Sequence, residues 1–290
     1  MSRILITGKT GQVGHELERS LQGLGEIIAL DRSQMDLADL DQVRDVIRRI
    51  KPTLIVNPAA YTAVDKAESE PELALRINGE APGVMAEEAK KLGAAMIHYS
   101  TDYVFDGSKD GPYVETDPTC PINVYGSSKL AGEQAIQASG IAHLILRTSW
   151  VYSTHGKNFL LTMLRLAKER EELSIVSDQF GAPTWSRTIA DTTAHIVAQS
   201  LVAADQQAWW DERSGLYHLT AQGRTSWFGF TEAIMAHPSV VKKVRLKPIS
   251  AINYPVPARR PANSMLSSRR LIDTFCDLPD WKTALNLCQD

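Results

Sequence analysis

The chain has 290 residues, 43% hydrophobic and 22% charged, with a formal net charge of -3, the profile of a water-soluble protein with one large lobe or two unequal ones. No long Lys/Arg block accompanies that slight negative charge, which excludes nucleic acid and anionic membrane as expected partners and leaves small molecules. Cys120, Cys276 and Cys288 are odd in number and form no Cys-x-x-Cys, so neither a disulfide framework nor a thiolate zinc site is expected, and a reducing cytoplasm fits. The first apolar run breaks at Thr7-Gly8, too short for a signal peptide, and no stretch approaches the ~18 apolar residues of a membrane span.

Ile4-Leu5-Ile6 reads as a buried strand. Gly8-Lys9-Thr10-Gly11-Gln12-Val13-Gly14 follows at once and opens a helix through Leu17 and Leu21. Glycines at a strand-to-helix turn let backbone approach a pyrophosphate, and the free N–H groups of the helix start bind it, so Gly8, Thr10, Gly11, Gln12, Val13 and Gly14 are expected at a dinucleotide cofactor. The spacing is Gly-x-x-Gly-x-x-Gly, with a wider first turn than Gly-x-Gly-x-x-Gly, and it lacks the terminal Gly-Lys-Ser/Thr of a phosphate loop.

A second strand at Ile27-Ile28-Ala29-Leu30 leads into Asp31-Arg32. Asp31 suits a free ribose 2'-hydroxyl, as in NADH, whereas Arg32 suits the 2'-phosphate of NADPH, and the pair favours NADPH with NADH usable. Asp36 and Leu37 are assigned to the same cofactor edge. Residues 41–50 carry Val43, Val46, Ile47 and Ile50 at helical spacing, Leu54-Ile55-Val56 is a third strand, and Ala59, Ala60 and Tyr61 in the loop after it suit a flat cofactor. A helix over 71–92, with Pro71 in its first turn, precedes a fourth strand at Met96-Ile97-His98-Tyr99. A fifth follows at Leu144-Ile145-Leu146. The alternation predicts an α/β fold, a Rossmann-like doubly wound parallel sheet whose ligands sit beyond the carboxyl ends of the strands.

Thr101 and Asp102 leave the fourth strand at that edge. Tyr125 and Lys129, four apart, share a helix face, where an ammonium draws a phenol's pKa down from ~10. Such a pair arises on many helices by chance and gains meaning only from its surroundings. Here Thr101 can bond a substrate carbonyl while Tyr125 delivers a proton and a nicotinamide delivers hydride, with Lys129 holding the ribose.

After Trp150 the pattern loosens. Helices are expected over 158–170, 188–203 and 226–236, with short strands near Ile175 and Tyr217-His218-Leu219 and a Pro-rich stretch through Pro255, Pro257 and Pro261. Residues 1–150 are read as the cofactor-binding lobe with the catalytic residues. Residues 151–290 are read as a smaller, mixed α/β substrate-binding lobe with some segments returning to the first. Trp209-Trp210 suits packing under a loop better than a partner surface.

With the glycine turn, the hydroxyl after the fourth strand and the Tyr-x-x-x-Lys helix in one order, the chain resembles the extended short-chain dehydrogenase/reductases. Thr62-Ala63-Val64-Asp65-Lys66-Ala67-Glu68, Ser100 to Gly107, Arg147-Thr148-Ser149-Trp150-Val151-Tyr152, Asp178 to Thr184 and Arg260-Pro261-Ala262-Asn263-Ser264 are similar to the nucleotide-sugar 4-keto reductases among them. The resemblance implies reduction of the 4-keto group of a dTDP-6-deoxy-hexulose to give dTDP-L-rhamnose for polysaccharide synthesis. It implies Tyr125 as acid, Lys129 and Thr101 as its assistants, Asp102 and Trp150 at the sugar, and Asn158 with the 179–184 loop at the nucleotide. Some relatives hold magnesium through glutamates between subunits. Glu16 matches one such ligand, but Arg187 stands where another is expected, so no metal residue is assigned, magnesium is left weakly supported, and the chain is expected as a monomer or homodimer.

Dehydratases of this fold place an Asp-Glu pair after the hydroxyl, where Tyr103 follows Asp102 here. An epimerase and a non-catalytic, NADP-binding regulatory subunit remain as competing readings. Intact Thr101, Tyr125 and Lys129 speak against lost catalysis.

Overall fold

The apolar runs of the first half become strands because both of their faces are covered. The computed structural model describes residues 2–290. Its first half runs β1 (Arg3–Ile6), α1 (Gln12–Ser20), β2 (Glu26–Ala29), α2 (Leu40–Ile50), β3 (Leu54–Asn57), α3 (Val64–Ala67), α4 (Pro71–Leu75), α5 (Ala81–Lys91), β4 (Ala95–Thr101), α6 (Val124–Ser139) and β5 (His143–Thr148). Asp39 caps α2 by accepting from the Gln42 N–H, Asn123 caps α6 through the Gly126 N–H, and Gly140 ends α6 in the left-handed region. A π turn, Arg76–Glu80, joins α4 to α5, so the expected 71–92 helix is continuous but locally widened and underwound.

The second half runs β6 (Val151–Tyr152), α7 (Phe159–Glu169), β7 (Glu172–Val176), β8 (Phe180–Gly181), β9 (Thr184–Trp185), α8 (Ser186–Leu201), α9 (Gln206–Arg213), β10 (Gly215–His218), β11 (Thr225–Ser226), α10 (Trp227–Ala236), β12 (Arg245–Ile249), α11 (Arg269–Thr274) and α12 (Trp281–Gln289). β10 joins the main sheet beside β5, giving the order β2-β1-β3-β4-β5-β10 with every pairing parallel. The strand expected near Tyr217 therefore belongs to the large sheet and not to the second lobe.

Alternate side chains of each strand enter opposite cores. Ile4, Ile6, Val56, Ile97, Leu144 and Leu146 meet Leu17 of α1 and Ile189 and Ile196 of α8. Leu5, Ile55, Met96 and Ile145 meet Val46 and Ile47 of α2, Met85 of α5 and Ile136 of α6. Trp209 and Trp210 are buried in the first of these cores, edge to face at 5.0 Å, and present no partner surface. A third core gathers Tyr152, Leu160, Met163, Leu173, Phe230, Trp281 and Leu285 from the second half. β12 and α12 belong there, and neither was expected. β12 is largely exposed and carries Pro248, the pattern of an edge strand that looks like loop in sequence.

β1 lies between β2 and β3, so successive connections depart from it in opposite directions and leave a crevice above the carboxyl ends of β1 and β3. No helix among the described residues is long and apolar enough to cross a membrane.

Candidate active site

The crevice is a cleft of about 620 Å³. Its floor begins at the glycine turn. Gly8 has φ +59°, and a Cβ on Gly14 would stand 2.2 Å from the Gly8 carbonyl oxygen, so the turn closes on itself only without side chains there. Gly11 then starts α1, whose first N–H groups open into the cleft. Gly8, Thr10, Gly11, Gln12, Val13, Gly14, Arg32, Asp36 and Leu37 line it on one side, and Ala59, Ala60 and Tyr61 on the other. Asp31 does not. Its carboxylate accepts from the Ser33 N–H and hydroxyl at 2.9 and 2.6 Å and lies 3.4 Å from Lys9 Nζ. Arg32, largely exposed and 3.2 Å from Asp36, is the cation at that end of the cleft.

The π turn positions the opposite wall. Asn78, buried within it, accepts from the Tyr61 N–H at 2.8 Å and donates to the Tyr61 carbonyl and the Ser128 hydroxyl, both at 3.0 Å. One amide thus ties the loop after β3 to the helix that carries Tyr125 and Lys129. The Tyr61 hydroxyl donates to Glu70, which also pairs with Lys66.

Tyr125 and Lys129 line the inner end of the cleft from α6. A Cβ on Gly126 would lie 2.1 Å from the Tyr103 carbonyl oxygen, so glycine lets the turn after β4 press on α6. The Tyr103 ring consequently meets Tyr125 edge-on, 5.6 Å between centroids. Thr101 ends β4 beside them, donating to Asp102 at 3.0 Å and accepting from the Tyr103 N–H. Lys129 Nζ donates to the Tyr99 carbonyl at 2.7 Å and lies 3.2 Å from His98 Nε2.

Burial dominates the electrostatics. It pushes the Tyr125 phenol up to about 12, with the Thr101 hydroxyl pulling down and Asp102 pushing further up. The expectation that Lys129 draws this pKa below 10 is therefore corrected, because burial of the phenol raises it by more than its surroundings lower it. Burial brings Lys129 itself down to about 8 against the Glu133 carboxylate, which Arg147 clamps at 2.9 and 2.6 Å in the interior. Burial raises Asp102 to about 6, opposed by hydrogen bonds from Ser264 and Thr101. At neutral pH the site holds a protonated phenol beside a cation, the charge state of a proton donor.

The polar atoms Gln12 Oε1, Ser100 Oγ and Thr148 Oγ1 are buried without a partner, and all three residues line the cleft. Buried polar atoms are normally paired, so orphans facing a glycine-walled cleft fit a polar, phosphate-bearing cofactor. Trp150 is held at φ +48° and stacks on Trp227 at 3.6 Å, with Gly181 leaving room for its ring. Asn158 is occupied elsewhere. It caps α7 by accepting from Leu161 N–H and donates to the Ser153 carbonyl, so its amide braces a loop.

Arg187 faces Asp191 at 3.8 Å, and among the described residues no three His, Cys, Asp or Glu converge on a metal position. The guanidinium of Arg187 cannot ligate a cation.

Ser100, Thr148, Asn57, Asn78, Gly156 and Lys157 escaped the sequence reading as site residues. A polar residue closing an apolar strand signals the first three. Asn78 and Lys157 lack any such signal, because a π turn and a loop from the second half deliver them.

A model of the RmlD substrate binding domain family matches residues 1–290. The chain is 53% identical to a dTDP-4-dehydrorhamnose reductase of Burkholderia thailandensis, covering 99% of this chain and 97% of that protein. It is 48% identical to one from Escherichia coli K12, covering 97% and 95%. The crystal structure of a dTDP-4-dehydrorhamnose reductase from Bacillus anthracis in complex with NADP superposes with a TM-score of 0.91 at 35% identity, covering 100% of this chain and 99% of that one.

Proposed function

The chain belongs to the RmlD substrate binding domain family and is an oxidoreductase, and from that premise we propose that it reduces the 4-keto group of dTDP-4-dehydro-L-rhamnose with NADPH, yielding dTDP-L-rhamnose. The observation that carries this reading is that Tyr125 and Lys129 line the cleft that the glycine turn opens, with Thr101 buried beside them at the end of β4. When bound, the dinucleotide supplies hydride.

Every other task falls to this chain. The glycine turn and the start of α1 hold the pyrophosphate, and Arg32 pairs with the 2'-phosphate. Lys129 has a third N–H left for the nicotinamide ribose after Tyr99 and His98. Tyr125, protonated at neutral pH, gives its proton to the C4 oxygen as negative charge gathers there, and the Thr101 hydroxyl, whose one hydrogen goes to Asp102 in this structure, would support that oxygen by turning toward it. A phenol pushed up to about 12 is fully protonated at pH 7, as a proton donor must be at the start, although burial makes it a weaker acid than a free tyrosine. Trp150 offers a flat face to the C–H surface of the sugar and Asp102 a polar partner. Tyr103 occupies the position where a dehydratase needs a carboxylate. The reading places the enzyme in the cytoplasm with its nucleotide-sugar substrate.

The test is an assay of NADPH oxidation with dTDP-4-dehydrorhamnose, run beside Tyr125→Phe. Wild type should oxidise one NADPH per sugar, and the variant should lose about 10²–10⁴-fold in turnover while binding NADPH normally. If both proteins bind NADPH and are equally inert, the reductase reading fails. Sugar consumed without NADPH oxidation would favour an isomerase or dehydratase.

A further inference from the structure

A polar chain crosses the otherwise apolar sheet directly beneath the cleft. Thr7, just past β1, lies 2.6 Å through its hydroxyl from Asn57 Oδ1 at the end of β3, and Asn57 Nδ2 lies 3.0 Å from His98 Nδ1 on β4. His98 Nε2 then lies 3.2 Å from Lys129 Nζ. Thr7 also accepts from the Ala59 N–H at 3.2 Å, so the chain starts under the cofactor wall and ends on the catalytic lysine. All four side chains, Thr7, Asn57, His98 and Lys129, are inside the protein, with Asn57 and His98 wholly shielded from water. A core histidine usually bonds a carbonyl and stops; this one has a side chain on each nitrogen.

Hydrogen counting gives the chain a direction. A neutral imidazole carries one hydrogen. With Asn57 Nδ2 facing Nδ1, the hydrogen sits on Nε2 and points at Lys129, where only an uncharged amine can accept it. An ammonium reverses every link: Nε2 accepts from Lys129, Nδ1–H donates to Asn57 Oδ1, and the turned amide presents Nδ2 to Thr7. The two polarities use the same atoms in the same space and differ in the charge of the lysine. Of the other groups around Lys129, Glu133, a turn further along α6 and clamped by Arg147 from β5, favours the ammonium but takes no part in the polar chain, and Tyr125 on the same helix is an uncharged phenol with Asp102 beyond it. His98 brings no competing charge, since burial and the lysine hold its pKa well below 6.5.

We propose that His98 is a positioning residue for Lys129: in the cofactor-bound enzyme its Nε2 accepts from the ammonium, fixing one N–H beside the bond to Tyr99 and aiming the third into the cleft. The inference rests on the reductase reading of the same site. Without the histidine acceptor the buried lysine leans toward its amine form, the ribose loses its partner, and reduction fails at a lower pH than in wild type.

Full-length His98→Gln and His98→Asn separate this role from packing. Glutamine places Oε1 near the position of Nε2 and restores the acceptor; asparagine ends near Nδ1 and cannot reach Lys129. His98→Asn should weaken NADPH binding about tenfold and move the alkaline limb of kcat/KM down by about one pH unit, whereas His98→Gln should stay within about threefold of wild type with an unmoved limb. An asparagine variant with wild-type affinity and profile, or a glutamine variant that falls with it, overturns the proposal. Nitrogen-15 NMR of the wild-type complex with NADP⁺ decides independently of whether the variants fold, since a His98 Nε2 shift of the hydrogen-bearing type contradicts the proposal and an acceptor-type shift supports it. NADPH binding and NMR need no sugar, so a wild type that binds NADPH but reduces nothing would sink the reductase reading while leaving His98 to be judged on its own.

Discussion

Arg260 grips Asp65 through two hydrogen bonds of 3.0 Å, joining a residue late in the chain to the helix that follows the β3 loop. The grip fastens a strap. Asn263 donates to the carbonyls of Lys109 and Gly111, Ser264 donates its backbone N–H to Phe180, and the Asn123 side chain donates to the Arg259 carbonyl. The strap therefore touches Asp102 through Ser264 and approaches Trp150 through β8. Arg260→Lys keeps the charge and loses the fork. It should raise KM for the sugar about fivefold and leave the NADPH dissociation constant within twofold, the size expected of a partly exposed ion pair. Steady-state kinetics with each substrate varied in turn would show it, and an equal effect on both constants would argue against the strap's role.

Gly14→Ala tests the turn. The added methyl would meet the Gly8 backbone at 2.2 Å, a contact that no side-chain rotation relieves. Overpacking of this kind costs about 1–3 kcal/mol, and the displaced helix start should weaken NADPH binding at least tenfold. Thermal melting and fluorescence titration of NADPH report the two effects separately.

Arg32→Ala addresses cofactor choice. Asp31 is engaged by Ser33 and Lys9 and lies off the cleft, whereas Arg32 lines it, and the proposed function gives the 2' position to Arg32. Loss of the guanidinium should cut NADPH affinity about tenfold and leave NADH nearly unchanged. Parallel titrations with the two cofactors give the ratio; an equal loss for both would show that Arg32 does not read the phosphate.

Asp102 makes stability depend on pH in an unusual direction. Burial raises its folded pKa to about 6 from a usual value of 3.8, so folding favours the protonated acid. Its contribution is most favourable below about pH 4, declines as pH rises through the interval up to about 6, and is flat above. Asp102→Asn removes the buried charge. Its unfolding free energy should match wild type near pH 4 and exceed it above pH 6, by an amount on the order of 3 kcal/mol at most, and denaturant titration across that range measures it. A constant difference across that range would mean that the carboxyl titrates elsewhere. Activity should fall in the same variant if Asp102 contacts the sugar.

The sequence by itself determined the sheet and the order of the chemistry along it. Ile4-Leu5-Ile6 followed at once by Gly8 specifies a buried strand entering a phosphate turn, because runs apolar on both faces form parallel strands and glycine alone fits the turn. Tyr125 and Lys129 could be paired from the helical repeat, which is local and needs no neighbour. Tertiary structure decided what those residues face. Lys129 was read as the partner of Tyr125, but β4 sets the Tyr99 carbonyl and His98 against it, and burial then raises the phenol that the spacing alone would have lowered. Asp31 looked like the ribose ligand until the fold closed Ser33 and Lys9 around it, and Asn158 looked like a nucleotide ligand until it capped α7. Asn78 and Arg260 reach the site across 50 and 195 residues of chain, to Ser128 and Asp65. Periodicity and turn chemistry are written in neighbouring residues, whereas desolvation and long-range hydrogen bonds depend on which distant segments the closed sheet brings together.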